Sequence, residues 1–138
     1  MASTLKINTL TGVTTAGSIA VTAEGNSTTT NLQQGLAKVW VKYTCASTTA
    51  SDSFNVSGLT DNGTGDFTTA FSNSMSNANF CVPTSCNHVN ASSTMYGNNP
   101  HTYATGSVRC DSFETNASPS TAPIDATHNS VSVNGDLA

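Results

Sequence analysis

From Ser53 to Phe71 the chain runs Ser-Phe-Asn-Val-Ser-Gly-Leu-Thr-Asp-Asn-Gly-Thr-Gly-Asp-Phe-Thr-Thr-Ala-Phe. This is two alternating runs around a glycine-rich turn, with Phe54, Val56 and Leu59 before it and Phe67 and Phe71 after it. The steps Asp61-Asn62-Gly63 and Thr64-Gly65-Asp66 supply residues that tolerate positive φ, which a tight hairpin needs and most side chains resist on steric grounds. The glycines do not read as a phosphate cradle. Such loops lead from a strand into a helix, and the residues after Gly65 have no helical period.

Period-2 alternation continues along the chain. Val39, Val41 and Tyr43 alternate with Lys38, Trp40 and Lys42, so the strand carries valine on one face and Trp40 on the other, and a packed tryptophan is the favoured reading. Phe80-Cys81-Val82 reads as a strand stopped by Pro83. Thr94–Tyr96 and Thr102–Ala104 read as strands flanking a Gly97-Asn98-Asn99-Pro100 turn. Ser107–Cys110 with Phe113, and Ser130–Val133, read as later strands. Only Asn31–Ala37 suggests a helical turn. These signals predict an all-β chain, a small antiparallel β-sandwich or jelly-roll-like domain over 35–138. Residues 1–34 form an N-terminal β-arm in which Leu5, Ile7, Ile19 and Val21 alternate with polar residues. Two short strands cannot bury a core alone, so the arm needs a partner.

Ser, Thr and Asn make up 57 of the 138 residues, while 9% are charged, against an average of about 25%. Hydroxyls and amides therefore keep the surface in water, a composition common among extracellular β-proteins and virion surfaces. The four basic residues and net charge of −4 leave no cluster able to neutralise a phosphate backbone, so nucleic acid is not an expected partner. No apolar run is long enough to span a membrane, and no export signal is expected at the N-terminus.

Chemistry-bearing residues are few. Most of the eight acids lie in turn-like sequence, where side chains fold back on their own backbone. No Gly-x-Ser-x-Gly elbow accompanies the three histidines, so no catalytic residue, cofactor or metal site is assigned. Cys45, Cys81, Cys86 and Cys110 leave three uses open: disulfides, with Cys81–Cys86 and Cys45–Cys110 as one pairing; a zinc site with His88; or buried thiols.

Gly35-Leu-Ala-Lys-Val-Trp-Val-Lys-Tyr43, the Asp61-Asn-Gly-Thr-Gly-Asp-Phe67 turn and Ser76-Asn-Ala-Asn-Phe-Cys-Val82 occur in an order and spacing that resembles a module of small tail-fibre and other virion structural proteins of tailed bacteriophages. The resemblance covers roughly residues 35–82. It implies a non-enzymatic virion structural protein, a short tail fibre or fibre-tip module for host attachment. It also implies a homotrimer, synthesised in the bacterial cytoplasm and displayed on the virion surface. Expected partners are sister subunits, other virion proteins of tail or capsid, and a host-surface glycan or protein. Leu5, Ile7, Ile19, Val21, Trp40, Phe54, Phe67 and Phe71 are the expected core or oligomer-packing residues. The stretch bearing His88, Tyr96, Asn98, Asn99, His101 and Tyr103 offers rings and amides for receptor binding. A trimeric capsid decoration protein is the alternative.

Overall fold

A computed structural model describes residues 4–13, 19–22, 28–88, 94–115 and 121–138. The chain divides at Leu36/Ala37 into two units. In the first, β1 (Ala20–Thr22) pairs antiparallel with β2 (Thr29–Asn31). A single helical turn follows, α1 (Leu32–Gly35), in which the Asn31 side chain caps the turn by accepting from the Gln34 N–H at 3.0 Å. None of the described residues of this unit is buried; Leu5 is 78% and Val21 52% exposed. No helix among the described residues is long and apolar enough to cross a membrane.

The second unit is built of β3 (Val39–Tyr43), β4 (Ala50–Phe54), β5 (Val56–Gly63), β6 (Asp66–Phe71), β7 (Thr84–Asn87), β8 (Met95–Ala104), β9 (Ser107–Thr115), β10 (Thr121–Pro123) and β11 (His128–Val133). One antiparallel sheet runs β4-β3-β11-β7. In the other, β9 pairs along its whole length with β8 on one edge; its opposite edge is shared end to end by β6 and β10, and β5 lies outside β6. The arrangement is consistent with a β-sandwich. Inward residues of both sheets, among them Val39, Val41, Tyr43, Phe67, Phe71, Val108, Val131 and Val133, form one buried cluster, as strands with alternate residues on opposite faces require. The Tyr43 and Phe67 rings meet across it at 5.4 Å between centroids.

The hairpin around Asp61–Asp66 is present as β5–β6, but it begins at Val56 rather than Ser53. Phe54 belongs to the opposite sheet, because the chain changes sheets at Asn55, whose φ is 57°. Asparagine tolerates this left-handed conformation, and its side chain fixes the corner. Asn55 Oδ1 accepts from the Asn73 backbone N–H at 2.7 Å and from Asn73 Nδ2 at 3.0 Å, while Nδ2 donates to the Lys38 and Asn73 carbonyls at 3.0 and 3.2 Å.

Three other expectations are corrected. Gly97–Pro100 is not a turn: β8 passes straight through it, with a register shift after Pro100 that accommodates the missing N–H. Phe80–Val82 contributes only an isolated bridge, Cys81 to Asn134, and the strand begins beyond Pro83. Trp40 is not enclosed. It stands directly opposite Phe54 on the outer face of its sheet, the two being 39% and 54% exposed.

Gly65, at φ 74°, explains the second half of the glycine-rich turn. Its carbonyl accepts from the Ser112 N–H at 2.6 Å and its N–H donates to Asp125 Oδ1 at 2.7 Å, and a Cβ there would run into the Ser112 backbone oxygen. Gly63, at φ 141°, faces open space. Gly65→Ala is expected to cost about 2 kcal/mol in urea unfolding and Gly63→Ala about 1; equal losses would mean that the contact with Ser112 is not what selects glycine.

Candidate functional site

Where β6 ends and β10 begins along the shared edge of β9, the outer face of the five-stranded sheet opens into a shallow groove of about 460 Å³. Its position follows from strand register. Asp66 lies opposite Asp111 and Asp111 opposite Asn99, giving a polar row; Pro123 and Gly97 flank Phe113, giving an apolar row one pleat away. The end of the Phe113 ring lies over Gly97, where any Cβ would collide with it, so the ring covers the bare glycine backbone. Asp66, Asn99, Asp111, Phe113, Thr121 and Pro123 all line the groove.

Two carboxylates placed opposite each other on adjacent strands repel, and neighbouring residues offset this. Arg109 Nε donates to Asp66 Oδ1 at 2.6 Å and Nη2 donates to Oδ2, a two-pronged pair, while Asn62 Nδ2 donates to Asp66 Oδ1 at 3.2 Å. The guanidinium hydrogen bonds hold the Asp66 carboxyl below its ordinary pKa, and Asp66 in turn raises that of Arg109. His101 Nε2 lies 3.3 Å from Asp111 Oδ1, and its Nδ1 meets Thr102 Oγ1 at 2.8 Å. Potential ligand atoms of Asp66, His101 and Asp111 come within 4.8 Å of one another. The set suits a cation poorly, because both Asp66 oxygens face a guanidinium that would repel a metal ion.

The structure separates the six residues expected to bind a receptor. Asn99 lines the groove and His101 borders it through Asp111. Asn98 points inward, donating to Asn129 Oδ1 at 3.3 Å, and its backbone carbonyl accepts from Thr84 Oγ1 at 2.8 Å, which joins β8 to β7 of the other sheet. Tyr96 and His88 face each other, with ring centroids 5.9 Å apart, and Tyr103 packs on Phe80 at 5.4 Å. Asp66, Arg109, Asp111 and Phe113 were not anticipated as site residues. The alternation of Arg109, Asp111 and Phe113 put them on one face, but bringing Asp66 beside them depends on the pairing of β6 with β9.

All four cysteines are free thiols. Cys45 belongs to a buried ring of hydrogen bonds. Asn129 Nδ2 donates to its Sγ at 3.0 Å, Ser112 Oγ donates to Asn129 Oδ1 at 2.9 Å, and Sγ lies 3.8 Å from Ser112 Oγ. With the Ser112 proton committed to Asn129, the remaining donor in the ring is the Cys45 S–H, a proton that a disulfide would remove. Burial raises the pKa of Cys45 and Cys86, and pushes Cys110 up to about 12. Cys81 is exposed. A thiol reagent at pH 8 is expected to modify Cys81 first and Cys45 and Cys110 about 10³-fold more slowly, at the rate of unfolding; rapid labelling of all four would overturn the burial of these thiols.

No family model, curated protein or solved structure matches this chain.

Proposed function

We propose that this chain is a non-enzymatic structural protein of a bacteriophage virion, a short tail fibre or fibre-tip module that presents its sandwich to the host surface. The carrying observation is the outer face of the five-stranded sheet. A groove with one ring and several polar groups is mounted on rigid strands, and Arg109 and His101 are committed to the neighbouring carboxylates, an arrangement suited to recognition rather than turnover. Asp66, held ionised by Arg109, is unsuited to be the protonated acid that glycoside hydrolysis requires. The low charge and abundant hydroxyls fit a particle surface, reached after synthesis in the bacterial cytoplasm. This reading involves no cofactor or metal, no nucleic-acid partner and no insertion into a membrane.

Homotrimer formation is part of the proposal, supported by exposed apolar side chains in both units: Leu5, Ile7 and Val21 in the first, Trp40 and Phe54 in the second. Contacts with sister subunits or tail proteins would remove these groups from water, each large side chain contributing about 1.5–3 kcal/mol when fully covered. The Trp40–Phe54 face also favours the second reading, a trimeric decoration protein clamped on the capsid.

Light scattering on the purified chain is expected to give three times 14.1 kDa, and quantitative mass spectrometry of virions a few to a few dozen copies per particle. Hundreds of copies would replace the fibre by the decoration protein. A monodisperse monomer would remove the trimer, and absence from purified virions would end the reading altogether.

A further inference from the structure

We infer that the groove beside Phe113 binds an uncharged pyranose sugar. The inference deepens the recognition reading above and rests on it for its biological setting, although the binding itself can be tested on the isolated protein.

Three features of the groove select this ligand class. The first is the adjacency of an apolar row and a polar row. Gly97, Phe113 and Pro123 lie across three strands, and Asn99, Asp111 and Asp66 lie across the neighbouring positions. Same-face residues along a strand are about 7 Å apart, so a sugar ring resting its C–H face on Phe113 can direct hydroxyls sideways into the polar row. A pyranose has this two-sided character, apolar on its faces and hydroxylated around its rim.

The second is the hydrogen-bonding character of the polar row. The two carboxylates accept, while the exposed Asn99 amide both donates and accepts. A hydroxyl does both at once, so neighbouring sugar hydroxyls can donate to Asp111 or Asp66 while accepting from Asn99 Nδ2. Arg109, Asn62 and His101 hold the carboxylates in place before a ligand arrives, which limits the ordering cost of binding.

The third is charge. Arg109 is spent on Asp66, and His101 lies against Asp111. Among the described residues no uncommitted cation therefore faces the groove, while two carboxylates border it, an arrangement that repels uronates, sialosides and phosphates. The volume of about 460 Å³ falls within the roughly 300–1,000 Å³ of small-molecule sites.

The test is an NMR titration of the full-length, isotopically labelled chain with neutral methyl hexopyranosides of gluco, galacto and manno configuration, and with methyl glucuronide, to tens of millimolar. At least one neutral glycoside is expected to shift the amides of Asn99, Asp111 and Phe113 and to receive saturation from the Phe113 ring, while the glucuronide binds more weakly. Phe113→Ala is expected to lower affinity about 10-fold. Because Phe113 also covers Gly97 and its loss could loosen the sheet, Asn99→Ala serves as the second variant, with unchanged melting and about 5-fold weaker binding. Perturbation by none of the neutral glycosides, tighter binding of the glucuronide, or full affinity in both variants would overturn the inference. Sugar binding by a chain absent from virions would instead overturn only the virion reading, and a virion protein that ignores every glycoside would overturn only this one.

Discussion

Asn129→Ala is expected to lower the stability of the two-sheet unit by about 3 kcal/mol, and to do so far less when its two ring partners are replaced with it. Asn129 lies almost entirely inside the core, 2% exposed. Its Nδ2 reaches the Cys45 sulfur and the Ala126 carbonyl, and its Oδ1 accepts from Ser112 and Asn98. Removing the amide strands several buried polar groups, each costing about 1–3 kcal/mol, whereas replacing a whole set of partners by apolar groups of similar shape can be nearly neutral. Hydrogen bonds closed into a ring also reinforce one another. The triple change Cys45→Val, Ser112→Ala, Asn129→Leu is therefore expected to recover at least half of the single loss. Urea unfolding of the single and combined variants measures this, and strictly additive losses would show that the three side chains do not act as a unit.

Asn55→Ala is expected to cost a similar amount, about 3 kcal/mol, with Asn55→Gly in between. Two causes combine at this corner. The φ of 57° costs an ordinary side chain about 1–2 kcal/mol, a penalty glycine escapes. The bonds to Lys38 and Asn73 are lost in either variant, at about 1 kcal/mol for each one not replaced by water. Melting temperatures should therefore fall in the order wild type, Gly, Ala, by roughly 4–8 °C per kcal/mol for a domain of this size. Alanine melting no lower than glycine would show that the backbone conformation carries no strain.

What could be read in advance was whatever depends on neighbours in sequence. The β5–β6 hairpin announces itself through Asp-Asn-Gly and Gly-Asp, the β3 strand through Val39, Val41 and Tyr43, and the α1 turn through the run Asn31–Ala37. The misreadings share a different origin. At Asn55 the alternation of Phe54 and Val56 runs past the corner undisturbed, because a single left-handed residue leaves no mark on polarity. Across Gly97–Pro100 the residue types are those of a turn, yet Phe113 fills the space over Gly97 and the inward Asn98 donates its Nδ2 to Asn129 while its carbonyl holds Thr84, so distant partners keep the strand straight. The groove is further removed from local pattern. Asp66 sits in a turn motif and Asp111 in an unremarkable run, and only the pairing of β6 with β9 makes them neighbours. Of the residues favoured for recognition, Asn99 alone lines the groove, because β8 turns the Tyr96 and Asn98 side chains inward.

The pairing of β3 with β11 sets Val41 opposite Val131, whereas β5–β6 and β8–β9 are hairpins closed by short turns. Contacts between positions so far apart along the chain must wait for a large loss of chain freedom, which slows folding. The two hairpins are expected to acquire protection first. In pulsed hydrogen exchange, the amides of β3, β11 and β7 should then be the last to escape labelling, and until they do, the edges of β3 and β7 stand open to strands from other molecules.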